Sequence, residues 1–310
     1  MIDYDEFGLF HENIDEFGLS VTEVPPVTRV DTVVDGGRRV SALRWGTASP
    51  EVVLVHGGAQ NAHTWDTVAL CLGRPALAID LPGHGHSDWR DDGAYSPTNL
   101  ADDLAVVVRA HAADARVVVG MSLGGLTSME LSVRHPDLVR SLVMVDITPG
   151  VNAAKTKAIT DFVDGPQEFA SFEDLLERTK EHNPTRSESS LRRGILHNAR
   201  QRRDGSWEWR YDRGSHARAR AASADDPATG SGADSVAAGL SPLWDDFGAI
   251  RCPLMVVRGS LSPVVDDDDV AEARRRQPDA LVEVVDGAGH SVQGDRPVEL
   301  AGLVDRFLER

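Results

Sequence analysis

The most chemically suggestive stretch of the 310-residue sequence is Gly120-Met121-Ser122-Leu123-Gly124. A serine hydroxyl is a weak nucleophile at its ordinary pKa and becomes useful only beside a general base. A G-x-S-x-G run supplies such a setting when it falls between a strand and a helix. The turn is then sharp, the glycines let neighbouring elements come close, and the serine is held strained at the tip. The helix behind it favours developing negative charge. Gly125 and the following Leu126-Thr127-Ser128 support close packing of that helix. The base has to be found among eleven histidines.

These residues need a scaffold, and the apolar pattern describes one. Residues 27–34 and 38–45 flank the turn Asp35-Gly36-Gly37, a hairpin signal. Val52–Val55, Ala76–Ile79, 117–119, Leu142–Val145, 254–257 and Leu281–Val285 are short, almost continuously apolar runs, as parallel strands covered on both faces must be. Helical patterns lie between them. Ser96-Pro97 is a cap followed by proline at the first helical position, with Leu100, Leu104, Val107 and Val108 as the apolar stripe. Residues 123–135, 270–277 and Pro297–Leu308 read similarly. Alternating strands and helices predict an α/β fold with a doubly wound parallel sheet. The rhythm stops between about residues 150 and 240, where 172–180 and 191–203 are helical, no strand is predicted, and 221–239 reads as a flexible connector. A helical insertion near the C-terminal strand ends is a lid.

With these pieces in order, the chain resembles the α/β-hydrolase superfamily. His56-Gly57-Gly58-Ala59 matches that family's oxyanion loop, and Asp80-Leu-Pro-Gly-His-Gly-His-Ser87 its loop after the fourth strand. Trp244 to Pro253, followed by Leu254-Met-Val-Val-Arg-Gly259, looks like its return from the lid, and Gly287-Ala288-Gly289-His290 like its histidine loop. The resemblance implies an eight-stranded, mostly parallel sheet flanked by helices, with a helical cap inserted after strand six. The expected division is an N-terminal arm (1–26), a core domain (27–149 and 240–310) and a cap (150–239). It also makes His290 the base, in the chain order Ser…Asp…His. Backbone N–H groups of Gly58 and Leu123 would hold the oxyanion, a donor of that kind being worth about 3 kcal/mol of barrier. His56 would pack beneath the oxyanion loop, while His84 and His86 would only border the pocket. His63 and Trp65 are candidate pocket residues.

The acid departs from the family's commonest pattern. The motif after the seventh strand reads Gly259-Ser-Leu-Ser262-Pro263, with serine where aspartate is expected. Asp146, at the end of the sixth strand, occupies a position that some branches of the superfamily use, and it is the preferred acid. Asp266, first of the run Asp266–Asp269, is the alternative, although such a cluster also suits a helix N-terminus.

The cap segment carries Arg186, Arg192, Arg193, Arg200, Arg202, Arg203, Arg210, Arg213, Arg218 and Arg220 in an otherwise acidic chain. They are either a clamp for an anionic substrate or a solvated face paired with the acidic core domain. Trp207-Glu-Trp209-Arg-Tyr211 alternates, which predicts an extended segment with its aromatics on one face. Trp207 and Trp209 there either line the pocket or pack the cap onto the core. The N-terminus repeats itself, Asp5-Glu-Phe-Gly-Leu9 returning as Asp15-Glu-Phe-Gly-Leu19, and reads as an arm over the main domain or over the partner subunit of a homodimer.

A net charge of −17 excludes general affinity for nucleic acid or anionic membrane. No run of apolar residues is long enough to span a bilayer. Cys71 and Cys252 make no disulfide framework, no Cys/His cluster suggests a metal, and the acidic N-terminus is unlike a signal peptide. The sequence therefore describes a cytoplasmic serine hydrolase without cofactor, acting on a small-molecule carboxylic ester or lactone through an acyl-enzyme formed on Ser122. Thioester, C–C bond or perhydrolase chemistry on the same three residues, or a non-catalytic ligand-binding member of the fold, are the alternatives.

Overall fold

The computed structural model describes residues 4–212 and 241–310. The apolar runs form strands as their composition requires: β1 (Val27–Val33), β2 (Arg39–Trp45), β3 (Val52–Val55), β4 (Ala76–Ile79), β5 (Val117–Met121) and β6 (Leu142–Val145). Beyond them, β7 (Glu168–Phe169), β8 (Ala199–Gln201) and β9 (Trp207–Trp209) lie in the insertion, and β10 (Leu254–Gly259) and β11 (Leu281–Val285) return to the main sheet. That sheet has eight strands in the order β1-β2-β4-β3-β5-β6-β10-β11. Only β2 runs opposite to the other seven strands. All residues of β3, β4, β5 and β6 are buried, which is why their sequences show no polar alternation.

Helices cover both faces. On one, α3 (Pro97–His111) and α4 (Leu123–Arg134) bury Leu100, Leu104, Leu126 and Met129 against Val53, Val55 and Met144. The Ser96 hydroxyl accepts from the Asn99 N–H and caps α3 as its sequence predicts. On the other face, α2 (Asp66–Leu72) and the C-terminal helix Pro297–Leu308 bury Val68, Leu300 and Val304 against Val52, Leu54 and Val143.

The parallel register decides what the sheet offers at its C-terminal edge. Val55 pairs with Gly120, Met121 with Val145, and Val145 with Val257. The residues that follow are therefore level: the Ser122 N–H donates to the Val145 carbonyl, and the Asp146 N–H to that of Val257. Three segments far apart in sequence end side by side.

The insertion between β6 and β10 contains α5 (Ala153–Val163), α6 (Phe172–His182) and α7 (Glu188–Asn198), and it also contains strands. β7, β9 and β8 form an antiparallel sheet, so the expectation of a purely helical segment is corrected. The helix expected over 191–203 stops at Asn198 because Ala199–Gln201 pairs with Trp207–Trp209. Strands of two or three residues leave too short a trace for periodicity to register. The expected connector at 221–239 lies outside the described residues, as do Arg213, Arg218 and Arg220.

The arm does more than lie over a surface. It carries α1 (Phe10–Phe17), closed by Gly18 in the left-handed region at φ 58°. Phe10 is buried against Trp45 with ring centroids 4.9 Å apart. The two copies of the repeat serve different contacts: Glu6 meets Arg29 and His63 of the main domain, whereas Glu16 pairs with Arg193 of the insertion. Arg29 in turn bonds Asp80 at 2.8 Å.

The Glu6–His63 contact, 3.1 Å, makes arm docking depend on pH. Burial alone would push the Glu6 carboxyl up, but bonds from His63 and Arg29 outweigh it and hold it at about 2. Burial likewise opposes the charged His63, yet Asp66 and Glu6 raise it to about 9. A depressed carboxyl contributes stability above its unfolded value, lost as pH falls toward about 2. A raised imidazole contributes below its unfolded value, lost as pH rises through about 9. Glu6→Gln should therefore destabilise most between about pH 4.5 and 6.5, where both groups are charged, and least above about pH 9, as thermal melts across that range would record.

Candidate functional site

Three non-glycine residues among those described have positive φ, and all belong to this edge: Ala59 (58°), Ser122 (51°) and Asp146 (51°). Strain of about 1–3 kcal/mol per residue collects where the surroundings hold it in place. Around Ser122 the reason is space. A Cβ at Gly120 would lie 2.4 Å from the Gly124 carbonyl oxygen, and one at Gly124 would lie 2.4 Å from the carbonyl oxygens of Val55 and His56. Strand β5, α4 and the loop after β3 meet this closely only because those positions lack side chains, which leaves the serine at the tip of the turn.

Asp146 is fully buried and its carboxylate is saturated with donors. The Gly259 N–H reaches Oδ1 at 2.9 Å, and the Ser262 hydroxyl and His290 Nδ1 both reach Oδ2, the latter at 2.7 Å. Facing a carboxylate, Nδ1 carries the proton, which leaves Nε2 as the basic nitrogen. His290 and Ser122 line the same cavity, and the Ser122 hydroxyl makes no hydrogen bond to any described residue. The loop holding the imidazole is fixed by Gly287 at φ 67° and by the Gly289 N–H on Asp295, 2.7 Å.

Asp266 plays another part. Its side chain accepts from the Asp269 N–H in a reciprocal capping box at the start of Asp267–Arg276, and it pairs with Lys155 at 2.9 Å. The alternative acid is thus a helix cap, and Ser262 donates to the carboxylate from the sixth strand instead of being replaced by one from the seventh.

The N–H groups of Gly58 and Leu123 make no hydrogen bond among the described residues, and both positions flank the cavity. The loop carrying Gly58 is clamped through Ala59. Its N–H donates to His84 Nε2 at 3.0 Å, and its carbonyl accepts from Asn198 Nδ2 of the insertion at 2.7 Å. Asn198 carried no signal in the sequence, because an asparagine at a helix end is commonplace. His56 lies beneath this loop as expected, its Nδ1 donating to the Gly57 carbonyl and its Nε2 accepting from the Leu81 N–H. Burial lowers its pKa and keeps it neutral.

The cavity has a volume of about 1020 Å³. Of the four pocket residues expected, His63 and Trp209 lie on its wall; Trp65 and Trp207 do not. Trp65 is fully buried in the core beneath α2, and Trp207 packs on Phe172 with ring centroids 5.1 Å apart inside the insertion. Burial of an aromatic follows from its size, and sequence does not say which side of a wall it faces. The arm contributes Asn13 and Phe17 to the wall. Among the described arginines of the insertion, Arg192 and Arg193 pair with Glu12 of the arm, Arg193 also with Glu16, and Arg200 and Arg202 with Glu208 of β9.

One trio, His63, Asp66 and His197, brings potential metal-ligand atoms within 4.8 Å of one another. Both nitrogens of His63 already face carboxylates, and Tyr4 holds His197 Nδ1 at 2.7 Å. The two imidazoles stack 3.7 Å apart at 11°, so their in-plane lone pairs run side by side instead of converging. The trio is a hydrogen-bonded knot between arm, core and insertion.

Residues 50–297 match the family model for the alpha/beta hydrolase fold, and the chain belongs to that family. It is 43% identical over 312 residues to the esterase Rv0045c of Mycobacterium tuberculosis, covering 98% of this chain and 96% of that one. A solved structure of that esterase superposes with a TM-score of 0.83 at 42% identity, covering 100% of both chains. The 2-(acetamidomethylene)succinate hydrolase of Mesorhizobium japonicum is 28% identical over 279 residues, 89% of this chain and 94% of its own.

Close packing at the elbow is testable by itself. Gly124→Ala should lower stability by about 2 kcal/mol or more, since backbone oxygens cannot yield to a methyl group as a flexible side chain would. Denaturant midpoints of the two proteins give the difference.

Proposed function

We propose that this chain is a serine hydrolase of small carboxylic esters, with Ser122 as nucleophile, His290 as general base and Asp146 as the acid that orients it. The observation that carries this reading is the 2.7 Å bond between His290 Nδ1 and the buried Asp146 carboxylate, on the wall of the cavity that also holds Ser122. Its 43% identity to a protein named an esterase supports the same class of reaction.

In this mechanism His290 Nε2 takes the Ser122 proton as the oxygen attacks the ester carbon. Asp146 fixes the tautomer and stabilises the imidazolium, and the N–H groups of Gly58 and Leu123 donate to the carbonyl oxygen as negative charge develops on it. The imidazolium returns its proton to the departing alcohol. Water, activated by the same nitrogen, then releases the acyl group from Ser122. The described part of the insertion, residues 150–212, acts as a cap over the cavity, with the arm bracing it. No described helix is long and apolar enough to cross a membrane, and the two free cysteines suit a reducing compartment such as the cytoplasm.

Ser122→Ala should abolish turnover of a short-chain p-nitrophenyl ester; a rate that survives the change would remove Ser122 from the mechanism. Asp146→Asn should lower kcat by about 10³–10⁴-fold through loss of the histidine tautomer, whereas Asp266→Asn should leave it within a few-fold. Asn198→Ala should lower kcat about tenfold and change KM less, since Asn198 lines the cavity but its Nδ2 braces the loop of an oxyanion donor whose bond strengthens only as charge develops. Parallel loss in both constants would instead point to collapse of the cap.

A further inference from the structure

Among the described residues the cavity wall carries three long cationic side chains, Lys155, Arg186 and Arg193. Two are neutralised: Lys155 pairs with Asp266 and Asp269, and Arg193 with Glu12 and Glu16. Arg186 is different. It lies in the loop between α6 and α7, and the one hydrogen bond of its side chain among the described residues joins the neutral Ser190 hydroxyl at 2.6 Å. Its Nε is enclosed and unpartnered. The nearby carboxylates are committed elsewhere, Asp295 to the Gly289 N–H and the Thr185 hydroxyl, and Glu16 to Arg193. Burial, opposed by the charges of Asp295 and Glu16 and aided by that of Arg193, holds the guanidinium below its usual value.

Placement adds the second part. A Cβ at Gly294 would lie 3.1 Å from Arg186 Cζ, so the guanidinium rests on the segment four residues beyond His290. A confined cation without a partner is costly unless an anion arrives to meet it, and a guanidinium offers a planar fork that matches a carboxylate. The chain as a whole, at −17, repels anions, so a local positive site on the cavity wall is what an anionic substrate would need.

Resting on the hydrolase reading above, we infer that Arg186 is a substrate-recognition residue, and that the esters this cavity selects carry a free carboxylate at the end remote from the scissile bond. Arg186 binds that carboxylate and takes no part in the chemistry at Ser122.

The test compares esters matched in length and differing in charge. p-Nitrophenyl hemiglutarate against p-nitrophenyl valerate places the carboxylate on the acyl side; 4-acetoxybutyrate against butyl acetate places it on the alcohol side. For at least one pair, the wild-type ratio of kcat/KM, anionic over neutral, should exceed that of Arg186→Gln by tenfold or more, with the change carried by KM. Arg186→Lys, which keeps a charge but loses the fork, should fall between. Because the ratio is internal, any general damage to the fold cancels. Equal ratios in wild type and both variants, for both pairs, would overturn the inference. Calorimetric binding of glutarate to Ser122→Ala, and its weakening by tenfold or more in Ser122→Ala/Arg186→Gln, reads the subsite without turnover. Inactivity toward every ester together with intact, Arg186-dependent glutarate binding would sink the hydrolase reading and leave the anion subsite standing. Absence of glutarate binding alongside equal ratios would sink the subsite alone.

Discussion

A carboxylate with no access to water has to be met by donors on every side, and the buried Asp146 is met by a backbone N–H, a hydroxyl and an imidazole. Two donors come from the turn at the end of β10 and the third from the loop after β11, and all arrive because β10 lies beside β6 and β11 beside β10 in strict register. Remove the register and the charge is stranded. The same register sets Ser122 level with Asp146, so one alignment of strand ends satisfies a buried charge and assembles the candidate reactive group. Gly259 shows how close the approach is: a Cβ there would lie 2.3 Å from the Gly289 carbonyl oxygen.

Around this edge the molecule is tied together by charge pairs that link its three segments. Glu6 of the arm reaches Arg29 and His63, Glu12 and Glu16 reach Arg192 and Arg193, and Asn198 reaches back by a hydrogen bond to the loop after β3. Surface ion pairs contribute little individually. These are partly enclosed, and they hold the insertion at a fixed height above the sheet. The arm thereby helps define the cavity, to which Asn13 and Phe17 belong, and Arg192 and Arg193 of the insertion anchor it there.

Local sequence determined much of this. The eight sheet strands, the Ser96 cap, the glycines around Ser122 and the glycine loop before His290 are features of a few adjacent residues, and they were legible because apolar period, capping chemistry and steric need act over short stretches. Trp207 to Tyr211 likewise disclosed its extended form through alternation, part of it as β9. What tertiary structure alone decided was pairing across distance. It brought Asp146 to the imidazole and left Asp266 at a helix start, although both are aspartates in suitable places. It made strands of two- and three-residue pieces whose only support is a partner elsewhere in the chain, and it sent two copies of one pentapeptide to different contacts. It separated Trp209 on the cavity wall from Trp65 and Trp207 behind it. Residue type reports what a side chain can do, whereas the neighbour that lets it act is chosen by the packing of segments more than a hundred residues apart.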